Sequence, residues 1–325
     1  GAMSAARQSA RAPGEEMRRA RAALRAVRQR ADGRVLVFTG AGCSADSKIP
    51  TFRGSNAGTL WGGISGKVAM AVFGTPFGWR WLPQRAWRHY LKDFYLPICK
   101  AEPHAGHTAL SQFESEFRKK ASSRPNYSKS CFTTVTMNVD NLHQRAGSTN
   151  VHELHGSTSR HRCVEKGHMI ALNEYDPTKT DEEHIQASIG VRCAVCDGFP
   201  RPDCVLFTEA LPNEPWVQAE YAAEQLRGGD VCIVIGTTAS VYPAAYIPEI
   251  ASTRNATMIE INMDETRFTR AFKPIFLRGK ASDLLEELLA ELDSEEAPAL
   301  GHDKQSNTML DLSAATEEAR ENVAV

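Results

Sequence analysis

The chain has 325 residues, of which 42% are hydrophobic and 24% charged, a composition typical of a globular protein with a sizeable core. Its formal net charge of −1 provides no overall field for holding nucleic acid or an anionic membrane surface. The sequence has no run of about 18 apolar residues that would span a bilayer. We therefore expect a soluble protein of one large domain, or one large and one small, with neither nucleic acid nor membrane as a direct partner.

The two ends of the chain differ in composition from its middle. GAM at the start resembles the scar of a removed expression tag, and we expect residues 1–19 to be flexible. The Arg-rich segment MRRARAALRAVRQRA favours a surface helix over a targeting signal, because Glu15 and Glu16 precede it. From residue 296 the chain turns polar and small, so 296–325 is expected to be a disordered tail. The eight unevenly spaced cysteines favour a reducing intracellular compartment: cytoplasm, nucleus or mitochondrion.

Short apolar runs rich in β-branched residues predict buried parallel strands. Helical patterns separate them, namely HTALSQFESEFRKK, PWVQAEYAAEQLR and SDLLEELLAEL, the last with Ser282 as its expected N-cap. Strands alternating with helices predict an α/β fold with a doubly wound parallel sheet, which binds ligands beyond the carboxyl ends of its strands. The four runs are RVLVFT at 34–39, CFTTVTM at 131–137, DVCIVIG at 230–236 and ATMIEIN at 256–262.

A polar or glycine-rich segment follows each of the four runs, so we expect four strand ends to converge on one crevice. After the first run, Gly40 and Gly42 can adopt backbone angles closed to other residues and let the main chain approach a ligand. A GxG pair alone is weak evidence, because a tight strand-to-helix turn gives the same pattern. The other three segments are NVDNLHQRAG, GTTASVYPA and the residues Asn262 to Asp264.

Several motifs in order along the chain resemble those of the sirtuins, a family of NAD-dependent protein lysine deacylases. They are GAGCSADSKIPTFRG, TMNVDNLHQRAG, VHELHGS, RPDCVLF, GTTASVYPA and IEIN. PTFRG and KAEPHAGHTAL are most similar to the branch that contains the mitochondrial desuccinylase. The resemblance implies a catalytic domain over 20–295, with a Rossmann-like core, a small zinc-ribbon-type lobe at about 158–200 and a helical insertion at about 55–103. The implied reaction moves an acyl group from lysine to ADP-ribose and releases nicotinamide.

The resemblance also implies roles for single residues. His155 in ELHGS matches the family's catalytic histidine, and a neutral imidazole is suited to taking a proton from a ribose hydroxyl. Judged without the family match, a purely structural histidine is the alternative. The residues implied in NAD binding are Gly40, Ala41, Gly42, Phe52, Arg53, Met137, Asn138, Asp140, Gly236, Thr237, Thr238, Asn262 and Ala281.

Substrate contacts are implied in two places. Phe207, Glu209 and Leu211 fall where sirtuins present a strand edge to the substrate peptide, with a surface loop as the alternative. The desuccinylase branch uses Tyr-x-x-Arg to meet an acyl carboxylate. Here Tyr90 is followed three residues later by Asp93, which would repel an acidic acyl chain. We therefore expect a neutral acyl group, acetyl or longer.

The zinc lobe departs from the family pattern of two C-x-x-C pairs around a tetrahedral ion. Cys193 and Cys196 form one pair, whereas the other reads C-V-E-K, so Lys166 stands in place of its second cysteine. His168, five residues after Cys163, would complete a Cys3His site, a ligand set that zinc accepts. The alternative is a lobe that has lost zinc and folds by packing alone.

Other departures leave more than one function open. Lys48 replaces a common glycine, Met137 replaces a glutamine, and Thr208 replaces a glycine beside the peptide strand. Besides a deacylase, the scaffold would suit an enzyme that transfers ADP-ribose to protein or hydrolyses NAD, or a catalytically weak NAD-sensing module. Nicotinamide release that requires an acyl-lysine separates the first two classes, and cofactor binding without turnover would identify the third.

Overall fold

The computed structural model describes residues 14–49, 72–122, 131–290 and 292. Its strands and helices alternate along most of the chain, as the apolar runs predict. The strands are β1 (Val35–Thr39), β2 (Phe132–Thr136), β3 (Val151–Glu153), β4 (Gly156–Cys163), β5 (Met169–Ile170), β6 (Pro200–Cys204), β7 (Val231–Ile235), β8 (Thr257–Asn262) and β9 (Ile275–Arg278). The helices are α1 (Glu15–Gln29), α2 (Pro76–Trp81), α3 (Pro83–Tyr90), α4 (Leu96–Lys100), α5 (Ala105–Ser122), α6 (Leu142–Arg145), α7 (Asp181–Ile189), α8 (Asn213–Glu224), α9 (Tyr246–Thr253), α10 (Arg267–Phe272) and α11 (Ala281–Ala290).

The main sheet is parallel throughout, with its strands in the order β3-β2-β1-β7-β8-β9. Because successive side chains of a strand point to opposite faces, strands covered on both sides need apolar residues at every position. One face packs on α1, α5 and α11, through residues such as Val37 and Ile233. The other packs on α8, α9 and α10, through Phe38 and Val234. The doubly wound α/β fold is thereby confirmed.

A second, antiparallel sheet lies between β3 and α8 in the chain, with the order β5-β4-β6. Residues 156–204, which contain this sheet and α7, are called the small lobe below. The inserted helices α2 to α4, with a π-helical segment at Leu91–Tyr95, form a cluster of large side chains that includes Trp87 and Ile185. The Trp87 indole donates to the Ser188 carbonyl oxygen at 3.0 Å and so fixes α3 against α7.

The four predicted strands are confirmed to within one residue at each end, and the four predicted helices are also present. The N-cap prediction is wrong, because α11 begins at Ala281 and Ser282 lies inside its first turn. The edge strands β3 and β9 were not predicted, since three and four residues carry little periodicity. α1 begins at Glu15, inside the segment expected to be flexible, because Met17 is buried against the sheet.

Two further expectations concern the ends of the chain and membranes. Residues 1–13 and 293–325 lie outside the described part of the chain, so the predicted tail at 296–325 stays a prediction. In the described part, no helix combines the length and the apolar character needed to cross a bilayer.

Candidate functional site

The ends of the central strands meet at one edge of the sheet, as expected. Thr39, the last residue of β1, is level with Thr136 of β2 and Ile235 of β7. The Met137 amide donates to the Thr39 carbonyl oxygen at 3.0 Å, which continues the β1–β2 pairing beyond the strand ends. The segments that follow β1, β2 and β7 are therefore brought side by side at the carboxyl edge.

The glycine turn after β1 packs directly on the glycine that follows β7. The Gly40 amide donates to the Ile235 carbonyl at 3.0 Å, and the Gly42 amide to the Gly236 carbonyl at 2.8 Å. A Cβ atom on Gly42 would lie 2.8 Å from the Gly236 Cα, and one on Gly236, whose φ is +59°, 2.2 Å from the Cys43 nitrogen. Glycine is therefore needed at both positions so that the turn after β1 can pack against the turn after β7. The GxG pattern alone did not indicate this packing requirement.

A cluster of buried polar side chains lies beside the glycine turn. Asn138 and Asp140 are only 6% and 4% exposed. The Asn138 side-chain amide donates to the Ser44 hydroxyl at 3.0 Å, and the Asp140 carboxylate accepts from the Leu142 amide at 3.0 Å. Burial raises the pKa of Asp140, although hydrogen bonds from the Leu142 amide and the Ser44 hydroxyl to its carboxylate oppose the rise. Ser44 was not among the predicted site residues, but its place in the GAGCS turn is the signal that would have found it.

The residues predicted to bind the adenosine side of the cofactor also lie at this edge. The Asn262 side-chain amide donates to the Thr237 carbonyl oxygen at 2.8 Å, which connects the end of β8 to the loop after β7. Ala281 is buried at the start of α11, and the neighbouring Ser282 hydroxyl donates to Asp46 at 2.8 Å. The Asp46 contact connects α11 to the glycine turn, a link between distant segments that no local pattern indicates. Phe52 and Arg53 lie outside the described residues.

The His155 imidazole is hydrogen-bonded to the main chain at the same edge of the sheet. Its Nδ1 lies 3.0 Å from the Met137 carbonyl oxygen. A carbonyl oxygen only accepts, so Nδ1 must carry the proton and Nε2 must present a lone pair. Burial lowers the pKa of His155 below its ordinary value, with the Met137 bond acting in the opposite direction. The imidazole is therefore neutral at pH 7 and chemically able to accept a proton at Nε2.

The predicted substrate residues have different surroundings. Phe207 is 52% exposed, whereas Leu211 packs against the apolar layer under α8. Glu209 forms a bidentate ion pair with Arg201, at 2.7 and 2.8 Å. These three residues follow β6 in a turn and the irregular segment that leads to α8. Their role in substrate binding stays a prediction.

Tyr90 is buried within the helical insertion rather than presented at its surface. It is 5% exposed, and its phenol oxygen lies 3.2 Å from the Thr158 carbonyl oxygen and 3.0 Å from the His161 Nε2. The phenol is therefore already hydrogen-bonded inside the protein. A contact between Tyr90 and the substrate stays a prediction.

The four predicted zinc ligands come together in the small lobe. One donor atom each from Cys163, His168, Cys193 and Cys196 lies within 4.8 Å of the other three. The His168 Nδ1 is 3.4 Å from the Cys193 sulfur and 3.8 Å from the Cys163 sulfur, which is itself 3.7 Å from the Cys196 sulfur. In a tetrahedral site with bonds of roughly 2.0–2.3 Å, neighbouring ligand atoms lie about 3.3–3.8 Å apart. The Cys3His set therefore fits zinc.

The loop after β4 explains how a histidine takes the place of the missing cysteine. The Lys166 amide donates to the Cys163 sulfur at 3.2 Å, and the Cys163 amide donates to the His168 carbonyl oxygen at 2.8 Å. Gly167, with φ of +70°, reverses the chain between them. The turn therefore brings the His168 side chain to face the thiols.

Comparison with known proteins agrees with this geometry. The family model described as "Sir2 family" matches residues 40–243. The NAD-dependent protein deacylase 2 of Pyrobaculum aerophilum is 38% identical over 257 residues, which cover 79% of this chain and 90% of the relative. The NAD-dependent protein deacylase of Mycobacterium tuberculosis is 37% identical over 261 residues, covering 80% and 98%.

Solved structures show the same likeness. An ADP-ribose complex of a Sir2 homologue variant aligns with a TM-score of 0.65 and 30% identity, over 83% of this chain and 94% of that one. A Sir2 homologue–NAD complex aligns with a TM-score of 0.62 and 30% identity, over 83% and 92%. A Sir2–p53 peptide–NAD+ complex aligns with a TM-score of 0.61 and 25% identity, over 79% and 92%. The sequence matches, the parallel sheet and the arrangement of its strand ends lead to one conclusion: this chain belongs to the Sir2, or sirtuin, family.

Proposed function

We propose that this protein is an NAD-dependent protein lysine deacylase, which transfers an acyl group from lysine to ADP-ribose and releases nicotinamide. The observation that carries the proposal is the position of His155, bonded to the Met137 carbonyl at the strand edge that also holds the glycine turn. Relatives named as protein deacylases and neighbours solved with NAD or ADP-ribose support it.

The cofactor is assigned to the strand edge. The turn at Gly40–Gly42 and the segment from Gly236 to Thr238 take the phosphate and adenosine parts, together with Asn262 and Ala281. The buried pair Asn138 and Asp140 takes the nicotinamide end, where an amide and a carboxylate complement a carboxamide. Gly42 is exposed although Cys43 behind it is buried, so the turn presents main chain to the open side. When bound, NAD supplies the ADP-ribosyl group that receives the acyl chain.

His155 acts as the general base. It is held neutral by burial, and the Met137 carbonyl fixes the tautomer that leaves Nε2 unprotonated. Nε2 then accepts a proton from a ribose hydroxyl that attacks the acyl carbon. A protonated imidazole has no lone pair for this step, so the activity requires the neutral form.

The partner is an acylated lysine on a protein. The relative solved with a p53 peptide supports a peptide substrate, and the exposed Phe207 is the substrate contact we favour. A neutral acyl group is preferred, because Asp93 would oppose an acidic one.

The test measures nicotinamide release from NAD with a panel of acyl-lysine peptides. Replacing the base, His155→Ala, is expected to lower acyl-dependent release by at least about 100-fold, the usual range for general-base removal. The matched control is His152→Ala, three residues earlier on β3, which should keep most of the activity. Release that proceeds equally without peptide would indicate an NAD hydrolase or ADP-ribosyltransferase, and NAD binding without release would indicate a sensor.

A further inference from the structure

A second cluster of metal-ligand atoms lies in the core, apart from the small lobe. The Cys43 sulfur and one ring nitrogen each of His107 and His143 lie within 4.8 Å of one another. All three residues are buried, at 0%, 0% and 1% exposure. They come from the glycine turn, α5 and α6, so three separate segments place their donors at one point.

The two imidazoles have hydrogen-bonding capacity that the described protein leaves unused. In the described part of the chain, Nδ1 of His107 and Nδ1 of His143 have no hydrogen-bond partner. Leaving a buried polar nitrogen unpaired is destabilising, so such atoms call for an explanation. The His107 Nε2 is 3.5 Å from the Ser44 hydroxyl, at the limit of a hydrogen bond, while the His143 Nε2 is 3.0 Å from the Thr39 hydroxyl.

The charge state of the cluster suits a cation. Burial lowers the pKa of His143 to about 4 and that of His107 to about 2, so both imidazoles are neutral at physiological pH, the form that binds metals. Burial, with a further contribution from Asp140, raises the pKa of the Cys43 thiol. The nearby Asp140 carboxylate thus opposes a bare thiolate but would favour a bound cation.

We propose that Cys43, His107 and His143 form a second metal site, which takes one divalent ion of the zinc class. Thiolate and imidazole are ligands that zinc prefers, and three protein ligands leave one coordination position open. The ion would displace the thiol proton, so that one metal–sulfur bond forms and one proton passes to solvent. Because Cys43 directly follows Gly42, the ion would join the glycine turn to α5 and α6 beneath the cofactor pocket.

The direct test counts metal ions in the full-length protein. Protein purified with its small-lobe zinc is incubated with zinc chloride, dialysed, and analysed by mass spectrometry for zinc per chain. We expect two ions in the wild type and one in Cys43→Ala. The matched control is Cys232→Ala on β7, also 0% exposed but outside the cluster, which should keep two. One ion in the wild type, or a second ion retained by Cys43→Ala, would overturn the proposal.

A second measurement covers the case in which Cys43→Ala fails to fold. Cobalt added to wild type that carries zinc in the small lobe alone, without the zinc chloride incubation, should give a thiolate charge-transfer band of the strength of one cobalt–sulfur bond, and His143→Gln should weaken cobalt binding at least tenfold. A wild type without this band overturns the proposal. These readouts do not depend on the proposed deacylase activity, so failure of that function would leave the metal site standing.

Discussion

The parallel core and the small lobe are stabilised in different ways. The core buries an apolar layer on each face of its main sheet, and each layer draws on at least three helices. Around the zinc ligands of the small lobe, the described apolar cluster consists of Cys163, Ile170 and Cys193, with Val191 packed beside it. Two of those residues, Cys163 and Cys193, are themselves predicted ligands. Because so few apolar side chains pack around these residues, we expect this part of the lobe to depend on a bound ion for its stability, whereas the core does not.

The largest expected effect comes from removing the ion. Structural zinc contributes about 10–16 kcal/mol in zinc-finger peptides, so losing one ligand of four should weaken zinc binding by about 100-fold. We expect His168→Ala to lose zinc on dialysis and to expose the amides of β4 to β6 to hydrogen exchange, while β1 and β7 stay protected. If β4 to β6 stay as protected as β1 and β7 after zinc is lost, the small lobe does not depend on the ion for its stability.

A rescue variant sharpens this prediction. Adding Lys166→Cys to His168→Ala rebuilds the family's C-x-x-C spacing after Cys163, and should restore one zinc per lobe. Rescue would show that His168 serves as a ligand and is not merely part of the loop. If the double variant stays without zinc while the wild type holds it, position 166 does not face the thiols in solution.

The main strands and the candidate metal ligands could be predicted from the sequence because both depend on local patterns. Long apolar runs predicted β1, β2, β7 and β8, and the convergence of their ends at one edge followed from the rules of parallel sheets. His168 could be proposed as a ligand because metal-ligand spacing is a local property of the sequence. The Glu209–Arg201 pair and the buried phenol of Tyr90 were not found, because each depends on a partner that only the folded chain brings near.

Truncating buried apolar side chains tests how much apolar burial contributes to the free energy of unfolding in the core and in the small lobe. Phe38→Ala should lower the free energy of unfolding by about 3–5 kcal/mol, since a fully buried phenylalanine leaves a cavity. Ile170→Ala in the small lobe should cost about 2 kcal/mol, the low end for isoleucine, because β5 has only two residues. Denaturant titration with zinc present measures both. The exposed neighbour Met169→Ala is the control, with an expected change below about 0.5 kcal/mol. A larger loss of unfolding free energy for Ile170→Ala than for Phe38→Ala would show that the small lobe depends more on apolar burial than the core does.

Acid should weaken the small lobe through one buried histidine. Burial lowers the pKa of His161 to about 4, against about 6.5 in the unfolded chain. Between these values the unfolded state binds the proton and the folded state does not, so stability is full above pH 6.5 and falls as pH drops toward 4. At pH 5 the loss should be about 2 kcal/mol. His161→Asn should reduce the slope of stability against pH by one proton over this range, and an unchanged slope would exclude His161 as its source.

The smallest expected effect comes from comparing a single backbone angle in the core with one in the segment that leaves the small lobe. In the core, the left-handed position after β7 is occupied by Gly236, at φ of +59°. After β6, Thr208 occupies such a position at φ of +76°, where a β-branched side chain is strained by about 1–2 kcal/mol. Glycine relieves that strain but adds about 0.5–1 kcal/mol of unfolded-state entropy, so Thr208→Gly should stabilise the protein by about 0.5–1 kcal/mol. Thr208→Ala keeps the Cβ atom and should gain less. Thermal unfolding distinguishes them, and equal gains would mean that the benefit comes from losing the branched side chain, not from the backbone angle.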